Sequence, residues 1–282
     1  MGCSWRGGAF AGLILSLVGC VLGGGAVAAP LRVFSLDQCS DQYVIALAPR
    51  SAIVGVSPRV GAQDSYLRGQ SAGLPRRRAT AEAVLAARAQ VVVSYWGGDT
   101  RLSRTLARRN IQVVQIDETD SFAGVAGDIR KVAGALGRSA QGEVLIARMN
   151  AQLTAAAGAW NGRGALYLTP GGFTAGSGTL IDAMLTGAGL ANAAPEPGYA
   201  PVSLERLVMR PPSGLVLGFF DSASALSPWQ PGRHRVLRDL AVGRTLDRLP
   251  ASVLGCPAWF AADATQSLAG KAAAHSGAQA PR

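Results

Sequence analysis

Short apolar runs alternate with amphipathic stretches along most of this chain. From residue 32 the runs are brief and rich in β-branched residues, as in strands buried on both faces of a parallel sheet. Residues 32–35, 53–56, 91–94 and 113–116 are read as strands. Between them, 41–47, 81–87 and 102–109 carry apolar residues at helical spacing. Ser40 or Asp41 is available as the N-cap of the first helix, and Thr80 caps the second. Glu82 falls in that second helix's first turn, where the helix dipole favours an acid.

Two longer helices follow, at 121–136 with Gly137 as the stop, and at 140–157. The second repeats Val144, Leu145, Met149 and Leu153 at helical spacing. A rod of about 18 residues spans roughly 27 Å, enough to bridge two lobes. The alternation then restarts, with strands at 165–168 and 214–217 and helices at 180–188, 203–209 and 259–268. The pattern predicts an α/β protein: two Rossmann-like lobes, 30–138 and 161–268, joined by one long linking helix within 139–160. The Ala-, Gly- and Ser-rich residues 269–282 are expected to form a disordered tail.

Residues 1–29 follow a different logic. Arg6 precedes an apolar stretch from residue 9 to 22, shorter than the about 20 residues that span a bilayer. Gly23, Gly24 and Gly25 break it, and Ala26-Val27-Ala28 offers a small-x-small cleavage site. This is the layout of a signal peptide, placing the mature chain in the periplasm. Leu17-Val18-Gly19-Cys20 resembles a lipobox, so lipid anchoring at Cys20 is the competing reading. Cys39 and Cys256 lie beyond this segment; in an oxidising compartment they either pair or stay separate thiols, and sequence leaves both open.

Composition narrows the chemistry. The net charge is +10, carried by arginine, since only Lys131 and Lys271 are lysines. No dense basic stripe with interleaved aromatics is present, which argues against nucleic acid. A bare metal ion needs clustered His and carboxylates, and the chain has only His234 and His275. The same shortage, with no Gly-x-Ser-x-Gly elbow, disfavours a serine hydrolase, and no catalytic residue or resident cofactor is assigned.

Arg32-Val33-Phe34-Ser35-Leu36, a helix, and then Ile53-Val54-Gly55-Val56-Ser57 resemble the opening of the cobalamin and ferric-siderophore binding proteins of ABC importers. Ala81 to Val93 is similar to that family's helix-then-strand signature, with Arg88-Ala89-Gln90 in place of its usual Lys/Arg-Pro-Asp. Tyr95-Trp96-Gly97-Gly98 and Pro201-Val202-Ser203-Leu204-Glu205-Arg206-Leu207 add to the likeness, which covers residues 31–268. The resemblance implies a monomeric binding protein with little hinge motion that delivers its ligand to a permease dimer and its ATPase. It implies that Glu82 and Glu205 dock on the permease. The ligand expected is a corrinoid such as cobalamin, or a ferric siderophore, with haem also admissible.

In open α/β lobes ligands lie beyond the carboxyl ends of the strands. On that rule the candidate ligand residues are Cys39, Ser57, Arg59, Tyr95 and Trp96 in the first lobe. In the second they are Gly172, Phe173, Phe220 and Cys256, with Tyr199 added by its place in the family. Aromatics beside glycines suit a large flat ligand, because rings supply apolar area and glycines permit close approach. Two other classes stay open: an exported α/β enzyme acting on a small substrate, and a sensor that shares the fold without transport.

Overall fold

The computed structural model describes residues 1–3, 31–222 and 234–276. The expected signal segment, including Cys20, lies outside them apart from its first three residues. The first lobe runs β1 (Val33–Ser35), α1 (Gln38–Leu47), β2 (Ile53–Gly55), α2 (Ala81–Ala86), β3 (Val91–Tyr95), α3 (Thr100–Ala107) and β4 (Gln112–Ile116). Its strands pair in parallel in the order β2-β1-β3-β4. The runs read as buried strands are buried: Val91, Val92 and Val93 are at most 2% exposed. Such residues fit because both sheet faces are covered by helices.

Helices α4 (Phe122–Ala135) and α5 (Ser139–Ala156) follow. The linking helix α5 is 18 residues long, roughly 27 Å. Gly142 lets it approach α4 closely, since a Cβ there would sit 2.7 Å from that of Ala133. It also packs against the second-lobe helix Phe260–Gly270.

The second lobe runs β5 (Gly164–Leu168), β6 (Phe173–Ala175), α6 (Leu180–Gly187), β7 (Ala191–Asn192), β8 (Tyr199–Pro201), α7 (Leu204–Met209) and β9 (Leu215–Gly218). It continues through α8 (Arg235–Ala241), β10 (Thr245–Leu249), α9 (Ala251–Leu254), α10 (Phe260–Gly270) and α11 (Ala272–Ser276). The sheet order is β7-β5-β9-β10, all parallel. Counting strands from the start of each lobe, both orders are second-first-third-fourth. The lobes therefore repeat one topology, and strand order reverses in each between the first and third strands. Strands β6 and β8 form an added antiparallel ribbon.

Two readings change. The first helix begins at Gln38, three residues earlier than expected, capped by Asp37 rather than Ser40 or Asp41. The chain also stays helical to Ser276, past Gly270, and buries Ala272, so the expected disordered tail is structured over 269–276. Alanines there are good helix formers and complete the core beneath α10.

One core cluster runs through both lobes, from Val33 and Tyr43 to Trp259 and Phe260. Tyr43 meets Trp259 edge-on at 5.4 Å, and its hydroxyl donates to the Pro257 carbonyl at 2.8 Å. Tyr66 stacks on Phe260 at 4.3 Å and donates to Asp263, which also accepts from Arg148 of α5. Shared packing of this kind resists large rotation of one lobe against the other.

Candidate functional site

The site is built where strand order reverses in each lobe. At the end of β1, Asp37 Oδ1 accepts the N–H groups of Cys39 (3.0 Å) and Ser40 (2.8 Å). Ser40 completes a capping box, its Oγ accepting the Asp37 N–H. The second Asp37 oxygen accepts the N–H of Tyr95 at 2.7 Å. One carboxylate thus fixes the start of α1 and the end of β3 against each other.

Tyr95 is half-buried, and its hydroxyl donates to the carboxylate of Glu118, just past β4. Burial, then that carboxylate, push the phenol far above its ordinary range. Trp96 follows with 57% of its surface exposed. Phe173 and Tyr199, 48% and 64% exposed, stand on the ribbon of the second lobe. Phe173 lies opposite Pro201 and Tyr199 opposite Ala175, so both rings share one face of the ribbon. Burial, then Glu118, raise the Tyr199 phenol. Both phenols are protonated donors at neutral pH.

Tyr95 and Tyr199 line one cavity of about 120 Å³ between the lobes. Leu180, Ile181 and Met184 of α6, with Val253 and Leu254 of α9, give it apolar walls. Glu118 and Thr119 come from the first lobe. Sequence reading passed over this pair, although the strand-end rule, carried to the fourth strand, reaches both. The α6 and α9 residues gave no such signal, because apolar helix positions read as core.

The remaining candidates divide. Cys39 and Cys256 are joined in a disulfide with Cα atoms 5.3 Å apart. They tether the start of α1 to the segment after α9, and neither offers a thiol to a ligand. Cys256 still contributes to the cavity wall. Ser57 is buried, its hydroxyl and N–H both spent on Asp41. Arg59 is held by Asp64 at 2.7 Å and Gln38 at 2.8 Å, beside a second interlobe cavity of about 230 Å³ that Asp221 and Ala251 also line. Gly172 makes the turn into β6 with φ 76°, a conformation that favours glycine. Phe220 is half-buried and packs on the core of the second lobe. Its neighbour Phe219, half-buried at φ 63°, holds the strained turn instead.

The docking candidates are equivalent by topology. Thr80 caps α2 and Ser203 caps α7, both six-residue helices between the second and third sheet strands of their lobes. Glu82 and Glu205 each occupy the second helical position, exposed. Hydrogen bonds from its own N–H and from Thr80 hold Glu82 below the usual carboxylate range.

Two matched lobes, a continuous core and an aromatic-lined opening between them define a two-lobed ligand-catching protein. The chain belongs to the periplasmic binding protein family, whose model matches residues 33–217. Solved structures agree in fold. The periplasmic heme-binding protein RhuT from Roseiflexus sp. RS-1 superimposes with TM-score 0.68 at 22% identity, covering 89% of this chain and 100% of that one. A periplasmic heme-binding protein from Pseudomonas aeruginosa gives 0.61 at 23% identity, covering 86% and 92%. CeuE of Helicobacter pylori, solved with Ni(II) bound, gives 0.63 at 16%, covering 89% and 86%. By sequence, no curated protein matches the chain. No helix among the described residues is long and apolar enough to cross a membrane.

Proposed function

We propose that this protein is the ligand-capturing component of an ABC importer and that its cargo is a flat tetrapyrrole-type metal chelate, haem or a corrinoid. The observation that carries the reading is the pairing of aromatic rings across the lobes: Tyr95 and Tyr199 on one cavity, with Trp96 and Phe173 exposed beside them. Rings offer broad apolar faces with little rotamer entropy to lose, and the two phenols donate hydrogen bonds at the edge. The cavity of about 120 Å³ holds only part of such a ligand; the rest lies over the exposed rings. The walls favour the uncharged face of a macrocycle over the charged groups of an anionic siderophore, and the propionates of haem would then lie outside this cavity. Glu118 is the charged group among the described residues that line the cavity, and no arginine joins it. The structural likeness to proteins described as heme-binding supports the same class.

Delivery would use Glu82 and Glu205 as paired contacts on the permease, one per lobe, fixing orientation and steering encounter. The test is a panel of haem, cobinamide, cobalamin, ferric siderophores and free metal ions, read by tryptophan fluorescence and thermal shift. Saturable binding of a tetrapyrrole with a raised Tm is expected. Binding of siderophores or free ions alone would overturn the reading.

A further inference from the structure

The second lobe holds another cavity, of about 220 Å³, which shares no residue with the cleft. It lies behind the ribbon, between β5 and α7. Leu166, Val202 and Leu207 are among its walls, and the lining is mainly apolar. Thr174 of β6 opens into it from the ribbon; this residue is 2% exposed, and its hydroxyl has no hydrogen-bond partner among the described residues. A buried hydroxyl without a partner is costly, and a ligand oxygen can recover that cost. At the rim stand Arg206 and Arg210, one turn apart on and just past α7. Both are exposed and, among the described residues, neither guanidinium has an ion-pair or side-chain hydrogen-bond partner, while one acid, Glu196, shares the rim. Two unpaired guanidiniums select a carboxylate, the apolar wall selects a compact hydrocarbon body, and the Thr174 hydroxyl selects a second oxygen on that body.

We infer that this cavity is a second binding site, for a small aromatic or branched monocarboxylate that carries one further hydroxyl or carbonyl oxygen. The volume fits the class, since a cavity of about 150 Å³ already accepts benzene. The site is independent of the tetrapyrrole reading, and failure of either leaves the other standing.

The test is calorimetric titration with 4-hydroxybenzoate and benzoate as probes. Saturable binding of both is expected, with 4-hydroxybenzoate the tighter. The R206A/R210A variant, which removes exposed side chains without partners, is expected to weaken both at least tenfold. T174V replaces an unpaired hydroxyl by a methyl group, so Tm is expected to hold or rise, and the preference for the hydroxylated probe is expected to vanish. Y199A in the cleft is expected to leave both affinities unchanged. Failure of both probes to saturate, unchanged affinity in R206A/R210A, or a preference that survives in T174V would each overturn the proposal.

Discussion

Asp41 shows how a single residue escapes a sequence reading. It was legible as a helix-start acid, yet Asp37 takes the cap and Asp41 falls one turn inside, fully buried. The run Asp37-Gln38-Cys39-Ser40-Asp41 offers several caps, and local chemistry cannot choose among them. The choice is tertiary: Asp37 also binds the Tyr95 N–H, which belongs to a distant strand. Asp41 accepts from the hydroxyls of Ser35 and Ser57, but burial outweighs those bonds and raises its pKa from 3.8 to about 6. The folded state therefore binds a proton more tightly than the unfolded chain. Stability from this group is full below about pH 4 and is lost as pH rises through about 6, by up to about 3 kcal/mol. In D41N that pH dependence is absent. Urea unfolding at pH 4.5 and 7.5 is expected to show wild type losing stability relative to the variant; equal shifts in both would refute the assignment.

At the scale of elements, β1 to β4, β5 and β9 were legible as short apolar runs because both sheet faces are covered, whereas β7, two residues long, and β10, which carries Asp247 and Arg248, gave no such run. The linking helix was legible from its length and spacing. The ribbon was not: β6 and β8 are three residues each, flanked by glycines and distant in sequence. Its two aromatics were found by position and family likeness, while the pairing that puts them on one face needed the structure. The cap-plus-acid starts of α2 and α7 were legible, and the repeated topology makes them equivalent. E82R and E205R are expected to leave ligand affinity unchanged, since neither residue lines the cleft. In a reconstituted importer each is expected to cut ligand-stimulated ATP hydrolysis at least tenfold, with wild-type stimulation in both as the contrary result.

The whole molecule is two copies of one topology made into a single body. The lobes share a core, α5 packs on both, and the Cys39–Cys256 bond closes a loop with a sequence separation of 217. Such a closure removes roughly 5 kcal/mol of unfolded-state entropy in the chain-entropy picture. Sequence could count the two cysteines but could not bring their Cα atoms together, because that proximity is a product of how the lobes meet. A body so tied gives a preformed cleft, and a preformed cleft spends little binding energy on ordering itself. Affinity should then rest on the rings already in place on both lobes. The most direct measurement is titration of the tightest-binding tetrapyrrole into wild type, Y95A, Y199A and the double variant. Each single change is expected to weaken binding about tenfold to a hundredfold, about 1.4–2.8 kcal/mol, with Tm of the unliganded protein nearly unchanged for Y199A. Tetrapyrrole affinity that survives in the double variant would contradict capture between the lobes.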